Sequence, residues 1–124
     1  MKFLLDVNAL VALKHARSIH HGAISSWVSK KDRKTLATCA LTELGFIRVS
    51  MQAYGVTMAA ALTDLAELKS KFPLFIERAP APDMPAWADT AAKTTDAYLV
   101  QLAAAHGMTL ATFDRGITGA YLIK

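Results

Sequence analysis

Four acidic side chains in this sequence stand beside apolar segments: Asp6, Glu43, Asp96 and Asp114. The other six, Asp32, Asp64, Glu67, Glu77, Asp83 and Asp89, lie among lysines, on polar helix faces or in a proline-containing stretch, where a carboxylate is hydrated at no cost. Carboxylates crowded into one place repel one another and raise their own pKa values unless something positive is shared between them. A divalent cation is the natural solution. Hard oxygen donors suit Mg²⁺ or Mn²⁺, which retain several waters and take one to a few carboxylates together with oxygens of a phosphate substrate. With these four set aside, 14 Lys/Arg face 10 − 4 = 6 Asp/Glu, a background of +8 that suits an anionic substrate. Each acid also has an ordinary local use: Asp6 as a helix cap, Asp96 at a helix amino terminus, and Asp114 opening a turn in Asp114-Arg115-Gly116. Chemistry requires that the fold bring them together.

The elements that would do so can be read along the chain. Phe3-Leu4-Leu5 is a short apolar run ending at Asp6, as in a buried parallel strand whose carboxyl end opens onto a site. Residues 8–14 read as a short helical turn, and 20–31 as a helix with Ala23, Ile24, Trp27 and Val28 on one face. Residues 35–38 look like a second strand, followed by a helix over about 40–51 with Glu43 in its first turn. Ala61, Leu62, Leu65 and Leu68 mark a helix over about 57–71, closed by Pro73, and 74–76 is a third strand. Pro80, Pro82 and Pro85 make 79–89 a loop. Thr94 or Thr95 is expected to cap a helix running to about His106, which places Asp96 at its amino end. Residues 108–112 form a fourth strand with Asp114 just past it, and 120–123 a fifth. This β-α-β alternation predicts a mostly parallel sheet of four to five strands with helices on both faces, a three-layer α/β/α fold. Ligands of such sheets bind outside the carboxyl ends of the strands, where strand order reverses. Asp6, Asp96 and Asp114 all fall on that edge.

At 124 residues the chain has room for one domain, 1–124. The composition, 53% hydrophobic and 19% charged, excludes collagen-like, low-complexity and wholly disordered classes. No apolar run approaches the roughly 20 residues that cross a bilayer, and Asp6 and Asn8 interrupt the signal-peptide-like start. Cys39 is the single cysteine, so no internal disulfide forms, and a reducing compartment such as the cytoplasm is expected. Residues 1–62 carry eight Lys/Arg against three Asp/Glu, and 63–124 six against seven. The basic excess therefore lies in the first half, which makes a polyanion such as nucleic acid a reasonable partner.

Four segments in order, Leu4-Leu5-Asp6-Val7-Asn8-Ala9-Leu10-Val11-Ala12-Leu13, Thr42-Glu43-Leu44-Gly45-Phe46-Ile47-Arg48-Val49, Thr95-Asp96-Ala97-Tyr98-Leu99 and Ala111-Thr112-Phe113-Asp114, resemble the PIN-domain ribonucleases, and more narrowly the VapC toxins of bacterial toxin-antitoxin pairs. The likeness spans essentially the whole chain. It implies a PIN-like fold and a metal site built by Asp6, Glu43, Asp96 and Asp114, with Asn8 and Thr112 orienting those ligands. It further implies endonucleolytic RNA cleavage with Mg²⁺ or Mn²⁺, a small antitoxin partner and a homodimer. The chemistry is consistent: a cation held by carboxylates lowers the pKa of water and stabilises charge on phosphoryl oxygens. Arg17 and Arg115 are candidate contacts to RNA phosphates.

Other readings fit less well. Asp6-Val7-Asn8 lacks the paired acid of a phosphatase nucleophile motif, and no lysine follows the last strand in the manner of a phospho-receiver. The principal alternative is a noncatalytic RNA- or protein-binding module of the same fold. His15, His20, His21 and His106 have no regular ligand spacing and are read as core or surface residues. Trp27 is read as core, while Trp87 is open to either a core or a base-stacking role. Cys39 has no evident base partner and is read as a structural thiol.

Overall fold

The computed structural model describes residues 1–124. Its five strands are β1 (Lys2–Leu5), β2 (Leu36–Cys39), β3 (Leu74–Ile76), β4 (Met108–Thr112) and β5 (Tyr121–Leu122). They pair in the order β3-β2-β1-β4-β5, and all four pairings are parallel. The chain leaves β1 toward β2 and β3 on one side, then crosses back to β4 and β5 on the other. The strand order therefore reverses at β1 and β4, which run in register from Lys2 against Met108 to Leu5 against Ala111.

Alternation along the strands divides the core into two. Phe3 and Leu5 of β1 and Leu36 of β2 face a layer built by α1 (Val7–Lys14), α2 (His21–Ser29), α3 (Ala40–Tyr54) and α4 (Met58–Lys71). Leu4, Ala37, Cys39, Ile76 and Leu110 face the opposite way, against Leu99, Leu102 and Ala103 of α5 (Ala91–Ala105). Period-two side-chain geometry is what makes one strand serve both cores. Trp27 is in the first core, 5.1 Å edge-on to Phe3. Trp87 packs against the second, and Cys39 is buried there.

Two helices bear directly on the acidic edge. Gly45 lets α3 approach the first turn of α1 so closely that a Cβ there would stand 2.5 Å from Val7 Cγ2. The same helix runs to Tyr54, beyond the expected end near Met51, and stops at Gly55, whose φ of +65° few other residues adopt. On the other face, α5 begins at Ala91 after the N-cap residue Thr90, not at Thr94 or Thr95. Its first turn is exposed and carries no apolar stripe, so hydrophobic periodicity starts only at Ala97. Asp96 consequently stands in the second turn of α5 rather than at its amino end. The last strand is also shorter than expected, Tyr121–Leu122 only. The proline-containing segment is tied to α5 by Tyr98 Oη donating to the Pro80 carbonyl and by Gln101 bonding Ala81 and Asp83. No helix is long and apolar enough to cross a membrane.

Candidate active site

Asp6 ends β1 and caps α1, with Oδ1 accepting from the Val7 amide at 2.7 Å. Its other oxygen, Oδ2, accepts from Thr112 Oγ1 at 2.7 Å, across the β1–β4 pair. That hydroxyl in turn accepts from Asn8 Nδ2 and from the Asp114 amide, each at 3.1 Å. Asn8 Oδ1 accepts the Phe113 amide at 3.2 Å. Thr112 thus uses one proton and two lone pairs to join the end of β1 to the turn after β4. Asp114 leads that turn, its Oδ1 accepting from Gly116 N at 2.8 Å, and its side chain is exposed. The local roles expected of Asp6 and Asp114, cap and turn, are both filled. Their geometry also sets one oxygen-rich corner.

Asp96 approaches this corner from α5. Asp6, Asp96 and Asp114 line one hollow of about 620 Å³, together with Asn8, His20, Arg48 and Tyr54. Burial pushes the Asp6 carboxyl above its ordinary range, against the lowering effect of its bonds from Thr112 and Val7, and Asp114 raises it further. Asp96 is likewise raised, first by burial and then by the charges of Asp6 and Asp114. Asp96 therefore senses both other acids, and Asp6 senses Asp114.

Glu43 is held apart. It lies in the first turn of α3 but does not line the hollow; its Oε2 accepts from Thr38 Oγ1 at 2.7 Å and its Oε1 pairs with Lys69 Nζ at 3.2 Å. The two arginines singled out from the sequence also separate. Arg17 sits 5.5 Å over the ring of Tyr54, which lines the acidic hollow, whereas Arg115 lines a neighbouring one with His20 and Phe113.

Three histidines commit a ring nitrogen to the fold: His15 with Ser50 Oγ, His21 with the Ala12 carbonyl and His106 with the Arg78 carbonyl. His20 instead stacks on Phe113, ring centroids 4.1 Å apart, and reaches the hollow. Neither His20 nor Arg48 stood out in the sequence as part of a site. Both are polar residues near helix termini or on exposed helix faces, and only the topology turns them toward the acids.

The three acids bring carboxylate oxygens to the hollow, with two of these carboxyls destabilised in their charged form and no lysine or arginine paired to them. No three His, Cys, Asp or Glu side chains close into a compact ligand set. An open arrangement of carboxylate oxygens fits a hard divalent cation that keeps much of its water.

Comparison with known proteins agrees with this geometry. The PIN domain family matches residues 3–121. The chain is 37% identical over 121 residues to Ribonuclease VapC38 of Mycobacterium tuberculosis, covering 92% of this chain and 86% of the relative. It is 32% identical over 130 residues to Ribonuclease VapC39 of the same species, covering 94% and 91%. The solved structure of PAE2754 from Pyrobaculum aerophilum superposes with a TM-score of 0.62 over 97% of this chain and 87% of that one, at 24% identity.

Proposed function

This chain belongs to the PIN-domain family, and from that premise we propose that it is a ribonuclease of the VapC kind, a divalent-cation-dependent endonuclease acting as the toxin of a toxin-antitoxin pair. The observation that carries the reading is the meeting of Asp6, Asp96 and Asp114 around one open hollow at the point where strand order reverses. In this reading Asp6, Asp96 and Asp114 would hold a Mg²⁺ or Mn²⁺ ion, and Glu43, now held by Lys69 and Thr38, would be a fourth carboxylate for it. When bound, the cation would supply counter-charge to the acids and Lewis-acid activation of water and the phosphodiester.

The chain's own residues do the rest. Thr112 fixes Asp6 Oδ2, and Asn8 fixes Thr112, so the carboxylate at the end of β1 has a single orientation. The amide of Val7 keeps its second oxygen in place. Arg48, in the wall of the same hollow and free of any ion pair, is available to a phosphate. The products are a 5′-phosphate and a 3′-hydroxyl. The partners that accompany this function are an RNA substrate, a cognate antitoxin and a second copy of the chain as a homodimer.

The test is cleavage of a mixed pool of structured RNAs with Mg²⁺ or Mn²⁺, with end chemistry mapped. Site-specific cuts should disappear in EDTA and in Asp6→Asn and Asp96→Asn. Ends bearing a 2′,3′-cyclic phosphate would overturn the hydrolytic route. If wild type and variants cut nothing yet still bind RNA or a partner, the noncatalytic module is the correct reading; equal cutting by all three would mark a contaminating nuclease.

A further inference from the structure

His20 lines the acidic hollow and also a second hollow of about 290 Å³ with Ala23, Phe113, Arg115, Leu122 and Lys124, so the imidazole belongs to the walls of both. The ring is fixed there. Its plane lies 10° from that of Phe113 at 4.1 Å, and the His20 amide donates to Ser18 Oγ at 3.2 Å. Phe113 is itself positioned by its own amide on Asn8 Oδ1, one residue from Thr112 and from Asp114. The His20 ring is thereby stacked on the residue that immediately precedes Asp114.

The charges around it are distributed in a consistent way. The four ion pairs of the molecule use only Lys14, Lys69 and Lys93 as cations, so Arg48, Arg115 and Lys124 are all free of them. Arg48 stands in the wall of the acidic hollow, and Arg115 and Lys124 in the wall of the second. Between them the two hollows hold the acids, the unpaired Arg48, the shared flat ring and the unpaired Arg115 and Lys124. A polyanion that carries planar groups between its charges is complementary to that combination. Stacked bases on aromatic rings between backbone-tracking cations is the general mode of single-strand binding.

We propose that His20, stacked on Phe113, is the platform on which the nucleobase next to the cut stacks, and that Arg115 and Lys124 bind the strand on from it while Arg48 holds a phosphate beside the acids. The inference rests on the ribonuclease reading for the position of the cut, but its binding component does not need cleavage. His20 and Arg48 act here by touching substrate, not by moving a proton.

The experiment is fluorescence anisotropy of a labelled single-stranded RNA dodecamer of mixed sequence, in EDTA so that nothing is cut, over a range of NaCl concentrations. His20→Ala should weaken binding about 5- to 100-fold, while His20→Phe, which keeps a flat ring and removes the nitrogens, should stay within about twofold of wild type. Arg115→Ala and Lys124→Ala should each reduce the slope of log affinity against log salt by about 0.7. In metal-dependent cleavage, His20→Ala should raise KM with little change in kcat. Melting curves accompany every variant, and should His20→Ala fold poorly, the Arg115 and Lys124 salt slopes carry the test. Equal affinity of wild type, His20→Ala and His20→Phe, or unchanged salt slopes, would overturn the platform while leaving the nuclease intact if cleavage persists. Loss of binding in His20→Ala by a chain that cuts no RNA would uphold the platform and remove the nuclease.

Discussion

Thr112 Oγ1 donates to Asp6 Oδ2 at 2.7 Å between residues 106 positions apart in the chain. The bond spans the strand pair at which strand order reverses and, with the bonds of Asn8 to Thr112 and Phe113, joins the two strand ends of the site. Thr112→Val keeps the shape of the side chain and removes the hydroxyl. It leaves Asp6 without its donor and Asn8 and Asp114 without an acceptor, in a residue that is fully buried. Unpairing such groups costs about 1–3 kcal/mol, and loosening the ligand's orientation should reduce divalent-cation affinity or activity about 10- to 100-fold. Thr112→Ser should restore most of both. Urea unfolding and Mn²⁺ titration of the three proteins check this; a fully active Thr112→Val would mean that Asp6 is oriented by Val7 alone.

The pairing of Glu43 with Lys69 leads to a second expectation. Lys69 is about half exposed, so the pair contributes less than about 1 kcal/mol to stability. Lys69→Met should therefore change the urea midpoint little. It should, however, leave Glu43 without a competing ammonium and tighten Mn²⁺ binding measured by calorimetry. Weaker binding in Lys69→Met would show that the lysine supports the site rather than restrains the fourth acid.

Gly45 gives a third. A methyl group there would meet Val7 Cγ2 at 2.5 Å, and Val7 is the β-branched residue immediately after Asp6. Gly45→Ala must push α3 from α1 or force Val7 from its rotamer, at a cost of about 1–3 kcal/mol. Any gain in helix propensity offsets that by at most about 1 kcal/mol. Because Val7 N also holds Asp6 Oδ1, the variant should lose cation affinity out of proportion to its stability. Equal stability of Gly45→Ala and wild type in urea would show that the two helices are free to separate.

Much of this site was legible in the order of the residues because it is built from strand ends. A short apolar run that stops at an aspartate announces its own position in a parallel sheet, and Asp6 and Asp114 both do so. Asp96 was harder to place: the first turn of α5 is exposed, shows no apolar period, and so hides the start of the helix at Ala91. The conformation of Glu43 was not legible at all, since Thr38 precedes it in β2 and Lys69 follows it in α4, and only the packed layers bring them together. The same holds for His20, whose partner Phe113 lies at the opposite end of the chain.

Asp96 also carries a prediction in which the sign is fixed by physics. Its carboxyl is pushed above the ordinary range, chiefly by burial and further by Asp6 and Asp114. Below an aspartate's ordinary pKa of about 3.9 the group is protonated in the folded and unfolded chain alike, and it contributes no difference. As pH rises through that value the unfolded chain releases its proton first, while the folded chain keeps it until its own higher pKa is passed. Stability is lost across that window and the loss then persists to neutral pH. Asp6 acts in the same direction, also chiefly through burial. Asparagine at position 96 removes the charge but not the shape. In EDTA, the melting temperatures of wild type and Asp96→Asn should therefore coincide near pH 3 and diverge above it, with the variant higher by a few degrees at pH 7. Mg²⁺ or Mn²⁺ should reverse the order, because a cation that binds only the folded carboxylates stabilises wild type by mass action and has less to hold in the variant. A variant less stable than wild type at pH 7 in EDTA would mean that the Asp96 carboxylate is already compensated by the protein, and the case for a cation among these three acids would fall with it.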